Sequence, residues 1–98
     1  MDIRFEKNGI AFTWNDRKAA ANPKKHNGIT FEQATEAFFD PFFKVVDAGR
    51  NQEARDAVIG YDESGRLLFV VHIEVEDEVI RLISARKATI TERNDYDF

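Results

Sequence analysis

The sequence predicts an α+β domain, an antiparallel sheet with two N-terminal helices and one short C-terminal helix packed on it. Asn8-Gly9 separates two short segments rich in apolar residues, which is typical of a β-hairpin. Thr30 and Thr89 each stand three residues before a Gln or Glu, and this spacing predicts a capped helix start. Residues 67–73 are almost all apolar, as in a central strand covered on both faces.

The N-terminal part of the chain predicts a hairpin followed by a helix. We expect strands over residues 2–6 and 10–14, on either side of the Asn-Gly turn. Asn15 is a suitable N-cap for the helix, because its side chain can accept hydrogen bonds from free backbone N–H groups. Pro23 lacks a backbone N–H, so we expect the helix to end or kink near Asn22.

The remaining two thirds of the chain predict one more helix, a group of strands and a final helix. The second helix begins at Thr30 and ends at Asp40-Pro41. Strands are expected over residues 42–47, 54–61, 67–73 and 79–85, and the last helix runs from Thr89 to near Tyr96. Short turns join the last three strands into a meander, and helices on one face of such a sheet complete the α+β class.

Length and composition predict one domain over residues 1–98. The 43% of hydrophobic residues can form a modest core, and the chain contains no cysteine, which excludes disulfides, thiolate metal sites and a cysteine nucleophile. We see no secretory signal at the N-terminus and no apolar run long enough to span a bilayer. These features predict a cytoplasmic protein without membrane contact.

The charge distribution is uneven, although the net charge is −4. An acidic balance counts against simple electrostatic binding of nucleic acid. However, residues 16–25 and 81–93 each contain four basic residues and one acidic residue. Basic patches on an acidic protein can bind phosphate, but these two segments can equally be solvated faces of ordinary elements.

Several chemistries lack their usual patterns. His26 and His72 have no second ligand at helical spacing, so we predict no metal site and no cofactor. There is no glycine-rich phosphate loop, and neither Ser64 nor Ser84 lies in a nucleophile elbow. His72 stands in an apolar strand and is expected to be a core histidine. A further interpretation, a small hydrolase of some other substrate, would need a deep, closed pocket around His72.

A set of short motifs is spread along essentially the whole chain. The most specific motif is Ile83-Ser84-Ala85-Arg86, and the second is Lys25-His26 followed by Gly28. The others are Phe12-Thr13-Trp14-Asn15, Lys18, Asn22, Phe31, Asp40-Pro41, Glu53 with Arg55, Gly60, and Glu92-Arg93 with Tyr96. Together these motifs resemble those of BrnT-like toxins. The chain departs from the family pattern at Pro23, at the additional Asn27, and at Val75, where the family usually has an arginine.

The resemblance implies a RelE-like fold and an endoribonuclease that blocks translation. It also implies a BrnA-like antitoxin partner, a ribbon-helix-helix protein whose complex with the toxin binds operator DNA. The alternative is a catalytically weak or inactive interaction module that still binds the antitoxin, which Val75 and the acidic net charge favour.

Metal-independent RNA cleavage needs a base for the 2′-hydroxyl proton, cations for the charge on phosphorus, and an acid for the leaving 5′-oxygen. Histidine ordinarily titrates near neutrality, and arginine binds phosphate with a planar fork of donors. The candidate catalytic residues are Lys25, His26, Arg55, Arg81 and Arg86. The candidate RNA-binding residues are Lys24, Glu53, Lys87, Arg93 and Tyr96.

Each candidate also has a purely structural interpretation. His26 can cap a helix, Glu53 and Arg55 can pair with each other, and Arg93 and Tyr96 can hold the last helix on the sheet. The side chains of Arg81 and Arg86 would point to opposite faces of a regular strand, so they share a site only if a bulge intervenes or Arg86 lies beyond the strand end. Arg50 is expected to be an ordinary surface charge.

Overall fold

The computed structural model describes residues 1–97, which form a six-stranded sheet and three α-helices. The elements are β1 (Asp2–Lys7), β2 (Ile10–Asn15), α1 (Asp16–Lys25), α2 (Phe31–Glu36), β3 (Lys44–Asp47), β4 (Asp56–Tyr61), β5 (Leu67–Val75), β6 (Val79–Lys87) and α3 (Ile90–Tyr96). Two 3-10 turns occur at Ala37–Phe39 and Glu76–Glu78. The predicted α+β class, with two N-terminal helices and one short C-terminal helix, is confirmed.

The strand order in the sheet is β1-β2-β6-β5-β4-β3. The hairpin β1–β2 and the strands β3 to β6 pair antiparallel, as predicted. The two parts of the sheet join through β2 and β6, which are parallel, with Phe12 opposite Ile80 and Thr13 opposite Arg81. A parallel pair is possible here because a long crossover separates the two strands, whereas a tight turn would force them antiparallel.

The main core lies between one face of the sheet and the helices α1 and α2. Phe12, Trp14, Phe31, Val70 and Leu82 belong to it, and each is at most 2% exposed. The ring of Trp14 meets that of Phe31 edge to face, with 5.7 Å between the centroids. Each such side chain stabilises the fold by roughly 1.5–3 kcal/mol through burial.

His72 belongs to this core, as the sequence predicted. It is 6% exposed, and its ring meets the ring of Phe38 edge to face at 5.0 Å. Its Nδ1 lies 3.2 Å from the carbonyl oxygen of Val70. The imidazole is therefore packed and hydrogen-bonded, which leaves the proposal of a hydrolase around His72 without support.

The helix α3 packs on the opposite face of the sheet, so the expectation that all helices share one face was wrong for α3. Its Tyr96 packs against the second apolar cluster of Ala57, Ile59, Leu67 and Phe69. These residues of β4 and β5 alternate with core residues of the first face, because successive strand side chains point to opposite sides. Tyr96 also donates a hydrogen bond of 2.7 Å to Asp40 Oδ2.

Polar contacts hold α3 in place. Burial, together with the hydrogen bond to Asp40, raises the pKa of Tyr96 to about 12. Arg93 Nη1 donates to the hydroxyl of Tyr61 at 3.2 Å. Arg93 and Tyr96 thus have the structural role that the sequence allowed as an alternative to RNA binding.

The helix α1 continues through Pro23 to Lys25, so the expected end near Asn22 was wrong. Pro23 lies in the last turn and removes only the one hydrogen bond that its N–H would have made to Ala19. The backbone N–H of His26 donates to the Asn22 carbonyl at 2.9 Å and closes that turn.

The side chain of Asn22 links α1 to β6 and to the loop before α2. This side chain is almost fully buried, and its Nδ2 donates to the carbonyls of Ile29 at 2.8 Å and Ala85 at 2.9 Å. Its Oδ1 accepts from the N–H of Ala85 at 3.2 Å. One amide therefore satisfies three buried backbone groups from two separate parts of the chain.

A bulge in β6 changes which side chains share a face. Ser84 lies opposite Val71 and Leu82 lies opposite His72, so Ile83 is an extra residue in β6. Beyond the bulge Arg86 lies opposite Phe69, and before it Arg81 lies opposite Ile73. Both arginines consequently project from the same face of the sheet. The bulge is the feature that the sequence analysis required for two residues an odd number of positions apart to share a face.

We predict that Asn22→Ala lowers the free energy of unfolding by about 2–4 kcal/mol, because three buried backbone groups lose their partner. Urea denaturation followed by circular dichroism measures this. Asn94→Ala, on an exposed position of α3, is the matched control and should change stability by less than about 0.5 kcal/mol. A similar small change for Asn22→Ala would contradict the structural role of this amide.

Candidate functional site

An open cavity of about 680 Å³ lies between α1, the loop after β3 and the face of β5 and β6 that α1 and α2 do not cover. Its lining residues are Arg17, Lys18, Ala21, Asn22, Lys25, His26, Ala48, Gly49, Arg50, Arg55, Phe69, Val71, Ile83, Ser84 and Arg86. Six of them are arginine or lysine and one is histidine. None of these lining residues is acidic, so the cavity is a cationic surface on an acidic protein.

Lys25 and His26 reach the cavity from the C-terminal end of α1. His26 is the C-cap residue, and its carbonyl accepts a hydrogen bond of 3.1 Å from the N–H of Ile29. The backbone of His26 therefore caps the helix, as the structural interpretation expected. Its half-buried imidazole nevertheless lines the cavity and makes no hydrogen bond to the part of the chain that the structure describes.

Arg55 reaches the cavity from the segment just before β4. Its Nη2 donates to Glu53 Oε2 at 2.6 Å, which is the pairing that the i, i+2 spacing predicted. Its carbonyl accepts from the N–H of Ala48 at 2.9 Å, which joins this segment to the loop after β3. Arg50 lies in that loop and is exposed, as expected of a surface charge, and it also lines the cavity.

Arg86 is held by contacts on two sides. Its guanidinium carbon lies 4.3 Å from the centre of the Phe69 ring. Its Nη1 and Nη2 donate to the two carboxylate oxygens of Glu92 at 2.7 and 2.8 Å, and Nη1 also donates to the carbonyl of Lys87 at 3.2 Å. Glu92 in turn accepts from the backbone N–H of Thr89 at 2.8 Å in the predicted capping box of α3.

The Arg86–Glu92 pair shifts the pKa values of both groups. Hydrogen bonds to Glu92 raise the pKa of Arg86 above its usual value. Burial acts to raise the pKa of Glu92, but the hydrogen bonds from Arg86 and Thr89 outweigh it and lower that pKa. Both groups are therefore held in their charged forms.

Arg81 does not line the cavity, so the prediction that it joins the other candidates needs correction. It lies opposite Ile73, four residues along β5 from the partner of Arg86, which is about 13 Å at the usual rise of a strand. Its two terminal nitrogens donate to the two carboxylate oxygens of Asp2, each at 3.1 Å. The hydrogen bond from Arg81 is the main cause that lowers the pKa of Asp2.

The five candidate RNA-binding residues also lie outside the cavity lining. Lys24, Lys87 and Glu53 are exposed neighbours of lining residues, whereas Arg93 and Tyr96 hold α3. Val75, at the other end of β5, lies six residues from Phe69, or about 20 Å along the strand. The position at which Val75 replaces the arginine usual in the family is therefore far from the cavity.

Sequence reasoning missed part of the cationic lining. Arg17, Ala21 and Lys25 are spaced by four residues on α1, and so are Lys18 and Asn22. This spacing places all five on one side of the helix, where they line the cavity together. The basic character of residues 16–25 was visible in the sequence, but only an uninterrupted helix through Pro23 aligns these side chains.

Comparison with protein families shows what most of the chain is similar to. The family model described as "Ribonuclease toxin, BrnT, of type II toxin-antitoxin system" matches residues 14–92. That segment contains every residue that lines the cavity. No curated protein matches the chain. None of the helices within residues 1–97 is long and apolar enough to cross a bilayer.

We predict that Glu92→Gln lowers the free energy of unfolding at pH 7 by about 1 kcal/mol, because glutamine keeps the capping bond but loses the ion pair. The folded-state pKa of Glu92 is lowered, so its contribution is complete above the pKa of an unfolded glutamate and is lost as the pH falls through the folded value. Urea denaturation at pH 7 and pH 3 should show parent and variant differing at pH 7 and converging in acid. An equal difference at both pH values would contradict the prediction.

Proposed function

The chain belongs to the BrnT family of ribonuclease toxins of type II toxin–antitoxin systems, and we propose that the cationic cavity is where it cleaves RNA. RNA as substrate and an antitoxin as partner follow from this membership. We propose further that cleavage is internal to the strand and independent of metal ions. The observation that carries the proposal is the convergence of Lys25, His26 and Arg55 on one open cavity without acidic lining residues.

The cavity's charge fits the binding of a ribose-phosphate chain. Phosphates supply most of the affinity of nucleic acid for proteins, and each contact replaces a condensed counterion. Lys25 and Arg55 border the cavity from opposite sides, on α1 and before β4, and we assign them to the phosphate that is cut. Lys24 and Lys87, exposed beside the cavity, are suited to neighbouring phosphates of the same strand.

The proposed reaction is attack of the ribose 2′-oxygen on the adjacent phosphorus. The P–O5′ bond breaks, and the products are a 2′,3′-cyclic phosphate and a free 5′-hydroxyl. We assign to His26 the removal of the 2′-hydroxyl proton, because its imidazole faces the cavity and is not engaged by another described side chain. The leaving 5′-oxygen takes its proton from solvent water, which reaches the open cavity. Lys25 and Arg55 stabilise the negative charge that accumulates on the phosphoryl oxygens.

Metal ions are not required in this scheme, because cationic side chains supply the charge that a divalent ion would otherwise provide. Divalent ions such as Mg²⁺ prefer carboxylate and carbonyl oxygen ligands. The cavity lining offers instead arginine, lysine and histidine side chains.

The proposed partner is a BrnA-like ribbon-helix-helix antitoxin. The toxin itself has a net charge of −4, so operator DNA would be bound by the antitoxin part of the complex. An inactive interaction module remains the alternative, and it would bind the antitoxin without cleaving RNA.

We expect purified protein to cleave single-stranded RNA equally well with and without EDTA. His26→Ala should lower the cleavage rate by about a hundredfold or more, because it removes proton transfer. Gel analysis of labelled RNA measures the rate, and urea denaturation together with antitoxin pull-down checks that the variant is folded. If His26→Ala cleaves as fast as the parent, the assignment of His26 is wrong.

The same assay tests the alternative function. A parent protein that binds its antitoxin but leaves RNA intact, under conditions in which it is folded, would replace the ribonuclease proposal by the interaction module.

Arg55→Gln should lower kcat/KM by at least about tenfold, because one charge that stabilises the transition state is lost. Arg4→Gln is a matched control. Arg4 pairs with Glu6 two residues away, as Arg55 does with Glu53, but it lies on the edge strand β1 outside the cavity. We expect Arg4→Gln to stay within about twofold of the parent, and equal losses for both variants would indicate a general effect of protein charge.

A further inference from the structure

The donor groups of Arg86 are mostly occupied within the protein. A guanidinium has five N–H donors, and Arg86 uses both on Nη1 and one on Nη2 for Glu92 and Lys87. Glu92 fills the edge formed by Nη1 and Nη2, which is one of the two edges through which a guanidinium can bind a phosphate with two parallel bonds. Arg86 therefore keeps only the edge of Nε and the second Nη2 hydrogen for a phosphate, and the other surface that it can present to the cavity is its plane.

The plane of Arg86 remains available on one side. The other side covers the ring of Phe69, and the carboxylate of Glu92 occupies one edge. The side chain is still 36% exposed and borders the cavity, and the face turned away from Phe69 is the part of the plane that neither Phe69 nor Glu92 covers. This face is flat, and contacts on two sides hold it in one orientation.

The surroundings of this face are apolar. Val71 and Ile83 lie beside it on the same face of the sheet, are half-buried, and line the cavity. An apolar floor contributes nothing to phosphate binding, whereas it suits the faces of nucleobases. The volume of about 680 Å³ also exceeds what one phosphate fills and lies in the range of sites that hold larger organic groups.

We propose that Arg86 is a stacking surface for an unpaired nucleobase of the substrate, held in place by Glu92 and Phe69. This inference rests on the proposed function and narrows the substrate to RNA that is single-stranded at the cavity. Bases of single-stranded RNA commonly stack on guanidinium planes, whereas bases of a duplex are covered by their neighbours. The lysines and arginines around the rim bind the flanking phosphates.

A cycle of four binding measurements tests the stacking. The RNA is a single-stranded oligomer made resistant to cleavage by 2′-O-methyl groups, and the comparison oligomer has the same phosphates but abasic riboses. We expect the parent to bind the abasic oligomer at least fivefold more weakly, within the range for stacking of one base.

The variant in this cycle is Arg86→Lys, which keeps the charge and loses the plane. It should bind the oligomer that carries bases about as weakly as the parent binds the abasic one, with little further loss on the abasic oligomer. Equal losses on both oligomers would overturn the proposal.

The dependence of affinity on salt separates a base contact from a phosphate contact. For single strands the slope of log K against log salt changes by about 0.7 for each phosphate contact. Arg55→Gln should therefore reduce the slope by about 0.7, whereas Arg86→Gln should weaken binding without changing the slope. A reduced slope for Arg86→Gln would show a phosphate contact and overturn the stacking role.

Binding and cleavage by the parent protein decide between three outcomes even if the Arg86 variants do not fold. Preference for the base-carrying oligomer over both the abasic oligomer and the corresponding duplex supports the proposal. A parent that cleaves RNA but binds normal and abasic oligomers equally refutes stacking alone. A parent that neither binds nor cleaves RNA refutes the proposed function and the stacking together.

Discussion

The buried amide of Asn22 is the interaction on which the arrangement of the cavity depends. It joins the last turn of α1 to the backbone of Ala85, the residue directly before Arg86. Lys25 and His26 follow Asn22 by three and four residues, which is about one helical turn. Two segments 63 residues apart in the chain therefore present their basic side chains to the same space. Because unpaired buried polar groups are costly, the three hydrogen bonds also permit only one register between α1 and β6.

The bulge at Ile83 complements this link. Without the extra residue, Arg86 would project from the core face of the sheet, where a charge would be expensive to bury. With it, Arg86 lies over Phe69 on the open face and can reach Glu92 on α3. Through Glu92 the C-terminal helix thereby fixes the position of Arg86, although none of the residues of this helix lines the cavity.

The arginines and lysines of the cavity differ in how they are held. Arg55 and Arg86 are each fixed by a carboxylate that lies outside the lining. The carboxylate offsets part of the positive field of its arginine but sets the position of the side chain. Fixed groups need little reorganisation when a substrate arrives, which is the usual basis of electrostatic catalysis. Acidic residues elsewhere give the protein its negative balance, whereas none of the residues that line the cavity is acidic.

The sequence alone determined the elements and much of the chemistry. The hairpin turn, the two capping boxes and the buried strand depend on residues close together in the chain, and each occurs where the local pattern predicted it. The apolar surroundings of His72 likewise predicted its place in the core. The motifs that resemble those of BrnT-like toxins were also identified from the sequence alone.

Only the tertiary structure decided which candidates meet. In the structure, α1 continues through Pro23 and α3 packs on the second face of the sheet. Arg50 lines the cavity, whereas Arg81 pairs with Asp2 outside it. Each of these outcomes depends on contacts between residues distant in the chain, such as the Asn22 amide and the bulge in β6. Local propensity and spacing do not contain that information, because the free energy that selects them arises only when the elements pack together.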